Sequence, residues 1–206
     1  MAKYYSTKTY GTDRGLSCCF RQWRATHSHC STIHGYSIGI KLVFETETLD
    51  DRNWVFDFGN LKVFKDWSEY MFDHTLVVAK DDPHLDFFKA MAEVKSTEKP
   101  VMIHESPDGG KTVKSRPMNA HLKTKPHEMG AICDLRIVEA VGCEKFAELA
   151  YTTMNDILNA FVLGREYIVD GKPYTTRYPV GLGVRLKSAE VFEHAGNSAI
   201  YEGQYE

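Results

Sequence analysis

Three imidazoles and a thiol crowd one short run, His27-Ser28-His29-Cys30-Ser31-Thr32-Ile33-His34-Gly35-Tyr36. Imidazole nitrogen and thiolate sulfur are the donors that zinc prefers, although the same run also suits a polar hairpin connection with scattered histidines. His34 and Tyr36 stand two apart at the start of an alternating segment, so both project to one face. Gly35 between them allows a close backbone approach. A second candidate is Asp73-His74, where the carboxylate could orient the ring or steady a thiol's proton acceptor. A His at a helix C-terminus is also favoured by the dipole alone. The third is Glu190 with Glu193, near the end of an apolar strand. A carboxylate there can accept paired hydrogen bonds from a guanidine-like ring edge, or can simply be solvated. The sequence contains no Gly-rich phosphate loop, nucleophile-elbow serine or paired CxxC motif.

The elements that must hold these residues are legible by period. Residues 16–25 read as a strand and residues 36–46 as its alternating partner, with Ile38, Ile40, Leu42 and Phe44 on one face. This predicts a hairpin whose connection carries His27, His29, Cys30 and His34. After a polar turn at residues 50–53, residues 54–58 read as a short aromatic strand. From Gly59 the period becomes helical through Leu61, Phe64, Trp67, Tyr70 and Met71, ending near Asp73. Residues 75–79 predict a strand, 83–94 a shorter helix with Pro83 at its start, 132–138 a strand, and 143–162 a strong amphipathic helix. Residues 179–192 predict a long strand, followed by a strand-like tail. The stretch from about 95 to 130 breaks the regularity with four prolines and a Gly-Gly pair, and reads as an insertion with a hairpin near 101–104 and 112–115. Paired strands and two long helices on one face imply an α+β layer with an antiparallel sheet.

The 206 residues, 43% hydrophobic and 26% charged, fit a single globular domain spanning 1–206. A net charge of -3 gives no sign of a nucleic-acid or membrane partner. No apolar run reaches the roughly 18 residues of a membrane span, and the polar N-terminus lacks a secretory core, which predicts a cytoplasmic protein. The five cysteines, an odd number, read as free thiols.

In order along the chain stand Trp23-Arg24-Ala25-Thr26-His27, Cys30-Ser31-Thr32-Ile33-His34-Gly35-Tyr36, Asp57-Phe58-Gly59-Asn60-Leu61-Lys62, Phe72-Asp73-His74, Cys143-Glu144-Lys145-Phe146-Ala147, and Glu193 with Tyr201 beyond it. Together these resemble the 6-pyruvoyl/6-carboxy-tetrahydropterin synthases. The resemblance implies the tunnelling fold, a four-stranded antiparallel sheet with two long helices on one face, assembled as a homo-oligomer with active sites at subunit interfaces. It implies a lyase in which Cys30 abstracts a proton, Asp73 and His74 complete a relay, and Glu193, Glu144 and Phe58 bind a small-molecule pterin. It also implies zinc as cofactor, and the Cys30 to His34 spacing favours the 6-carboxytetrahydropterin branch, which acts on 7,8-dihydroneopterin triphosphate on the route to 7-deazaguanines such as queuosine. A pyruvoyl-type elimination, side-chain cleavage of dihydroneopterin, and pterin binding without catalysis are the alternatives. Tyr36 stands where the family has a third histidine. His27, His29 and His34 as the ligand triad, Tyr36 as a phenolate ligand, and loss of the metal are the three solutions open.

Overall fold

The computed structural model describes residues 3–92, 103–105 and 132–203. Its centre is β3 (His34–Thr46), whose even-numbered side chains Ile38, Ile40, Leu42 and Phe44 are fully buried. β1 (Tyr4–Tyr10) and β2 (Leu16–Phe20) lie end to end along one edge of β3, with Tyr10 opposite Ile40 and Leu16 opposite Ile38. A single 3-10 turn at Thr12–Arg14 separates them, closed by Gly15 in the left-handed region. β9 (Arg185–His194) takes the other edge of β3, and β10 (Asn197–Glu202) pairs with β9. Every one of these pairings is antiparallel, so the expected four-stranded unit is present, with β1 and β2 acting as one interrupted strand.

The sheet does not stop there. On the β2 edge follow β4 (Thr75–Ala79), β6 (Leu135–Val138) and β5 (Ile103–Glu105), all parallel, which makes an eight-stranded mixed sheet. β4 and β6 are buried at every position, the pattern expected of strands covered on both faces. The α1 (Lys62–Phe72) and α3 (Cys143–Val162) helices pack together on the Ile38–Phe44 face. The third helix, α2 (Leu85–Ala92), covers the opposite face of the parallel extension, where Phe88 and Ala92 meet Leu76, Val78, Leu135 and Ile137.

Several expected boundaries shift. β2 ends at Phe20, β9 starts at Arg185, and residues 54–58 form no strand. They run irregularly while Phe56 stacks on Phe44 at 4.6 Å. β1 carries almost no apolar alternation, since only Tyr10 of its seven side chains is buried, so a polar N-terminus hid a real strand. β7 (Tyr167–Val169) and β8 (Lys172–Tyr174) form a tight hairpin through Asp170-Gly171, both at positive φ, as a two-residue primed turn requires. Of the expected hairpin in the insertion, Ile103–Glu105 pairs with β6 in parallel, and the rest lies outside the described residues. Among the described residues no helix is long and apolar enough to cross a membrane.

Where β2 and β4 end, Arg21 and Asp82 join them through two hydrogen bonds of 2.9 and 2.7 Å, and the Asp82 side chain is 1% exposed. Burial pushes the Asp82 carboxyl up, but the Arg21 hydrogen bonds, the His84 backbone N–H and the nearby charges more than offset it and hold it below its ordinary value. A carboxyl depressed in the fold contributes stability above its unfolded pKa of about 3.9 and loses it as pH falls through the folded value. Asp82→Asn is therefore expected to cost about 3 kcal/mol at neutral pH. It should also flatten the acid limb of stability in denaturant titrations.

Candidate active site

The helix face of the sheet ends in a polar strip at the N-terminus of α3. Phe20 faces His34 across the β2–β3 ladder, and Cys18 faces Tyr36. Tyr36 stacks on Phe20 with ring centroids 4.1 Å apart, and Phe20 meets Phe146 of α3 edge-on at 5.0 Å. The aromatic column thus carries the core up to Tyr36, whose hydroxyl stands at its polar end. His34 Nδ1 lies 2.8 Å from the Thr32 carbonyl, which can only accept. Nδ1 therefore carries the proton, and Nε2 is left to accept from the Tyr36 hydroxyl, with which it forms a close hydrogen bond.

The Cys30 loop is built by small hydroxyls. Ser28 caps the 3-10 turn His29–Ser31 by accepting from the Cys30 N–H at 3.2 Å. Ser31 and Thr32 hydroxyls donate to the Ser28 and His29 carbonyls, and the Gln22 N–H donates to the Cys30 carbonyl at 2.8 Å. Cys30 is thereby fixed, half-buried, beside the end of β2.

Glu193 reaches the same strip because β9 is bulged. The register slips between Val43 and Phe44, so that Leu186, Ala189 and Val191 face Phe44, Leu42 and Ile40. Glu193 continues that face. Glu190 goes to the other face, opposite Lys41 and hydrogen-bonded by Ser198 at 2.7 Å. The Tyr36 hydroxyl is pushed up to about 12, first by burial and then by the nearby Glu193, Cys30 and Cys143. Cys143, the first residue of α3, is half-buried and pushed up to about 11 by burial and by Glu193 and Glu144. Cys143 is the member of this cluster that spacing did not single out; only its place at a helix start, one residue before Glu144, hinted at it.

Beside the cluster opens a cavity of about 420 Å³ lined in part by Gln22, Trp23, Arg24, Asp81, Val141 and Glu144. Asp81 accepts from the Trp23 indole at 3.2 Å and from Arg24 at 2.8 Å, and the Arg24 guanidinium lies over the Trp23 ring. Gly142, between Val141 and the start of α3, sits at φ 122, where a Cβ would stand 2.9 Å from the Gln22 side chain. Of the expected site residues, Cys30, His34, Glu193 and Glu144 therefore gather around one end of the sheet.

The others do not join them within the chain. Asp73 and His74 bond to each other at 2.7 Å, and the His74 N–H donates to the Ser17 carbonyl at 2.7 Å. That places them beside Ser17 in β2, about 10 Å along the strand from its Phe20 end, beyond which the Gln22–Cys30 loop begins. The His74 side chain is 85% exposed. Phe58, 47% exposed, follows Phe56, which stacks on Phe44, about 26 Å along β3 from Tyr36.

The family model of 6-pyruvoyl tetrahydropterin synthase matches residues 12–204. The chain belongs to this family. No curated protein matches it closely enough to name a nearer relative. Among solved structures, an uncharacterized protein of Wolinella succinogenes superposes with a TM-score of 0.63 at 16% identity, covering 99% of this chain and all of that one. The 6-pyruvoyltetrahydropterin synthases of Plasmodium vivax and Plasmodium falciparum each give 0.52 at 12% identity over the whole of both chains. At these identities the likeness establishes the fold.

The family resemblance implies zinc, and the donor set of this member does not fit it as it stands. Among the described residues no group of three or more His, Cys, Asp or Glu side chains is drawn together closely enough to hold a metal ion. His34 Nε2 is taken up by the Tyr36 hydroxyl, and His27 is exposed. Metal analysis of protein purified without chelator is expected to give well under one zinc per subunit. Tyr36→His, which places an imidazole beside His34, is expected to raise that figure. About one zinc per wild-type subunit would instead show that the three loop histidines close around the ion.

Proposed function

We propose that the chain is a lyase acting on a triphosphorylated dihydropterin, converting 7,8-dihydroneopterin triphosphate and water to 6-carboxy-5,6,7,8-tetrahydropterin with release of acetaldehyde and triphosphate. The observation that carries this reading is the convergence of Cys30, Cys143 and Glu193 on Tyr36 at the end of the sheet where α3 begins, close to the cavity that Gln22 and Glu144 help to line. Glu193 offers two acceptor oxygens to the amino-pyrimidinone edge of the pterin. Tyr36, backed by the buried Phe20 ring at 4.1 Å, supplies a flat surface, and Glu144 borders the adjoining cavity.

Cys30 is the base that removes a proton from the substrate side chain. Its place is fixed by the capped His29–Ser31 turn, and the role is the one the family resemblance implies for it. Asp73 and His74 enter as a hydrogen-bonded acid–base pair from a second copy of the chain. Their distance from Cys30 within one subunit leaves that route for a shared site, in agreement with the interfacial active sites that the resemblance implies. Chromatographic loss of 7,8-dihydroneopterin triphosphate in the presence of the protein tests the proposal. A protein that neither binds nor consumes it would end it.

A further inference from the structure

At the far end of β3 from Tyr36, a second cavity of about 160 Å³ opens between the Thr46–Asn60 segment and the Tyr178–Val184 loop that leads into β9. Asn60 forms part of its wall and is only 5% exposed. The Asn60 carbonyl oxygen accepts from the Thr176 hydroxyl at 3.1 Å and from the Arg177 backbone N–H at 3.2 Å. A backbone N–H can only donate, so this end of the amide must be oxygen. The amide nitrogen at the other end has no hydrogen-bond partner among the described residues. The amide nitrogen is not sealed from solvent, so a ligand or water in the cavity can meet its two donors.

The rest of the cavity is shaped for a flat ring. Trp54 and Tyr178, two of its lining aromatics, stay 46% and 45% exposed. The Arg52 guanidinium lies 5.1 Å from the Tyr178 ring and 6.0 Å from that of Trp54. Arg52 also stands 3.8 and 3.7 Å from the Asp50 and Asp51 carboxylates, so the mouth offers no uncompensated positive charge to an anion. A cavity near 150 Å³ accommodates one six-membered ring. We propose that this cavity is a binding site for an uncharged single-ring heterocycle of the pyrimidinone class, with a ring carbonyl accepting from the Asn60 amide and the ring face lying against Tyr178 and Trp54.

The assignment is tested on the full chain with uracil as the probe. Saturation-transfer NMR and titration are expected to show uracil binding with a Kd of about 1 mM, a range suited to so small a ligand. Asn60→Asp keeps the oxygen that accepts from Arg177 but removes the donor, and is expected to weaken binding at least about tenfold. Tyr178→Ala should do the same from the other wall without touching the Asn60 hydrogen bonds. Glu193→Gln should leave uracil binding unchanged. Absence of binding to the wild type, full binding by Asn60→Asp, or loss in Glu193→Gln would each overturn the assignment, the last by placing uracil at the pterin site instead.

Discussion

Cys30→Ala is expected to lower turnover of 7,8-dihydroneopterin triphosphate by about 1,000-fold, the scale on which a positioned base contributes. Its affinity for the substrate should hardly change. The loop around Cys30 is held by Ser28, Ser31, Thr32 and Gln22 through contacts that do not involve the thiol, so the fold should survive the change. A drop in kcat with KM nearly constant is the signature of a group that acts in the transition state alone. Cys143→Ala provides the contrast. Its thiol, pushed up to about 11, is no base at neutral pH, and its loss should affect binding more than kcat. Equal activity in the wild type and Cys30→Ala would remove Cys30 from the mechanism.

Glu193→Gln should act in the opposite way, raising the dissociation constant for the pterin about 100-fold. The carboxylate has two acceptor oxygens, whereas glutamine turns one of them into a donor facing another donor. Losing one charge-assisted hydrogen bond and leaving a buried group unpaired costs about 2–3 kcal/mol, which is roughly that factor in affinity. Isothermal titration with a pterin, beside thermal melts showing an intact fold, checks it. Affinity unchanged in the variant would mean that the ring is read elsewhere. Glu190→Gln is the matched control, because that side chain faces the other side of the sheet.

This pair of glutamates shows how far the sequence could be read. Both were visible as carboxylates near the end of an apolar strand, but strict alternation from Leu186 would have sent Glu193 to the wrong face. The bulge at Val43/Phe44 reverses the parity, and a bulge leaves no period of its own in the sequence. The helices were legible because Phe64, Trp67 and Met71, and likewise Phe146, Ala150, Met154 and Ile157, are buried at helical spacing. The long strand β3 was legible because one of its faces alternates cleanly. The parallel extension was not, since β4 and β6 are short apolar runs whose pairing partners are set by tertiary packing. The loop from His27 to Tyr36 was recognisable as chemical by residue type. What its histidines do was not, because the decisive contacts are the Thr32 carbonyl and the Tyr36 hydroxyl on His34. Likewise, Asp73-His74 could be named as a pair, but its separation from Cys30 depends on the length of β2 lying between them.

The most direct test of the account is the mass of the product formed when the wild-type protein is incubated with 7,8-dihydroneopterin triphosphate and the reaction is quenched for mass spectrometry. The account predicts a new species with the mass of 6-carboxy-5,6,7,8-tetrahydropterin, appearing with wild type and missing with Cys30→Ala. Substrate recovered unchanged at stoichiometric protein would contradict it, even if the pterin were bound.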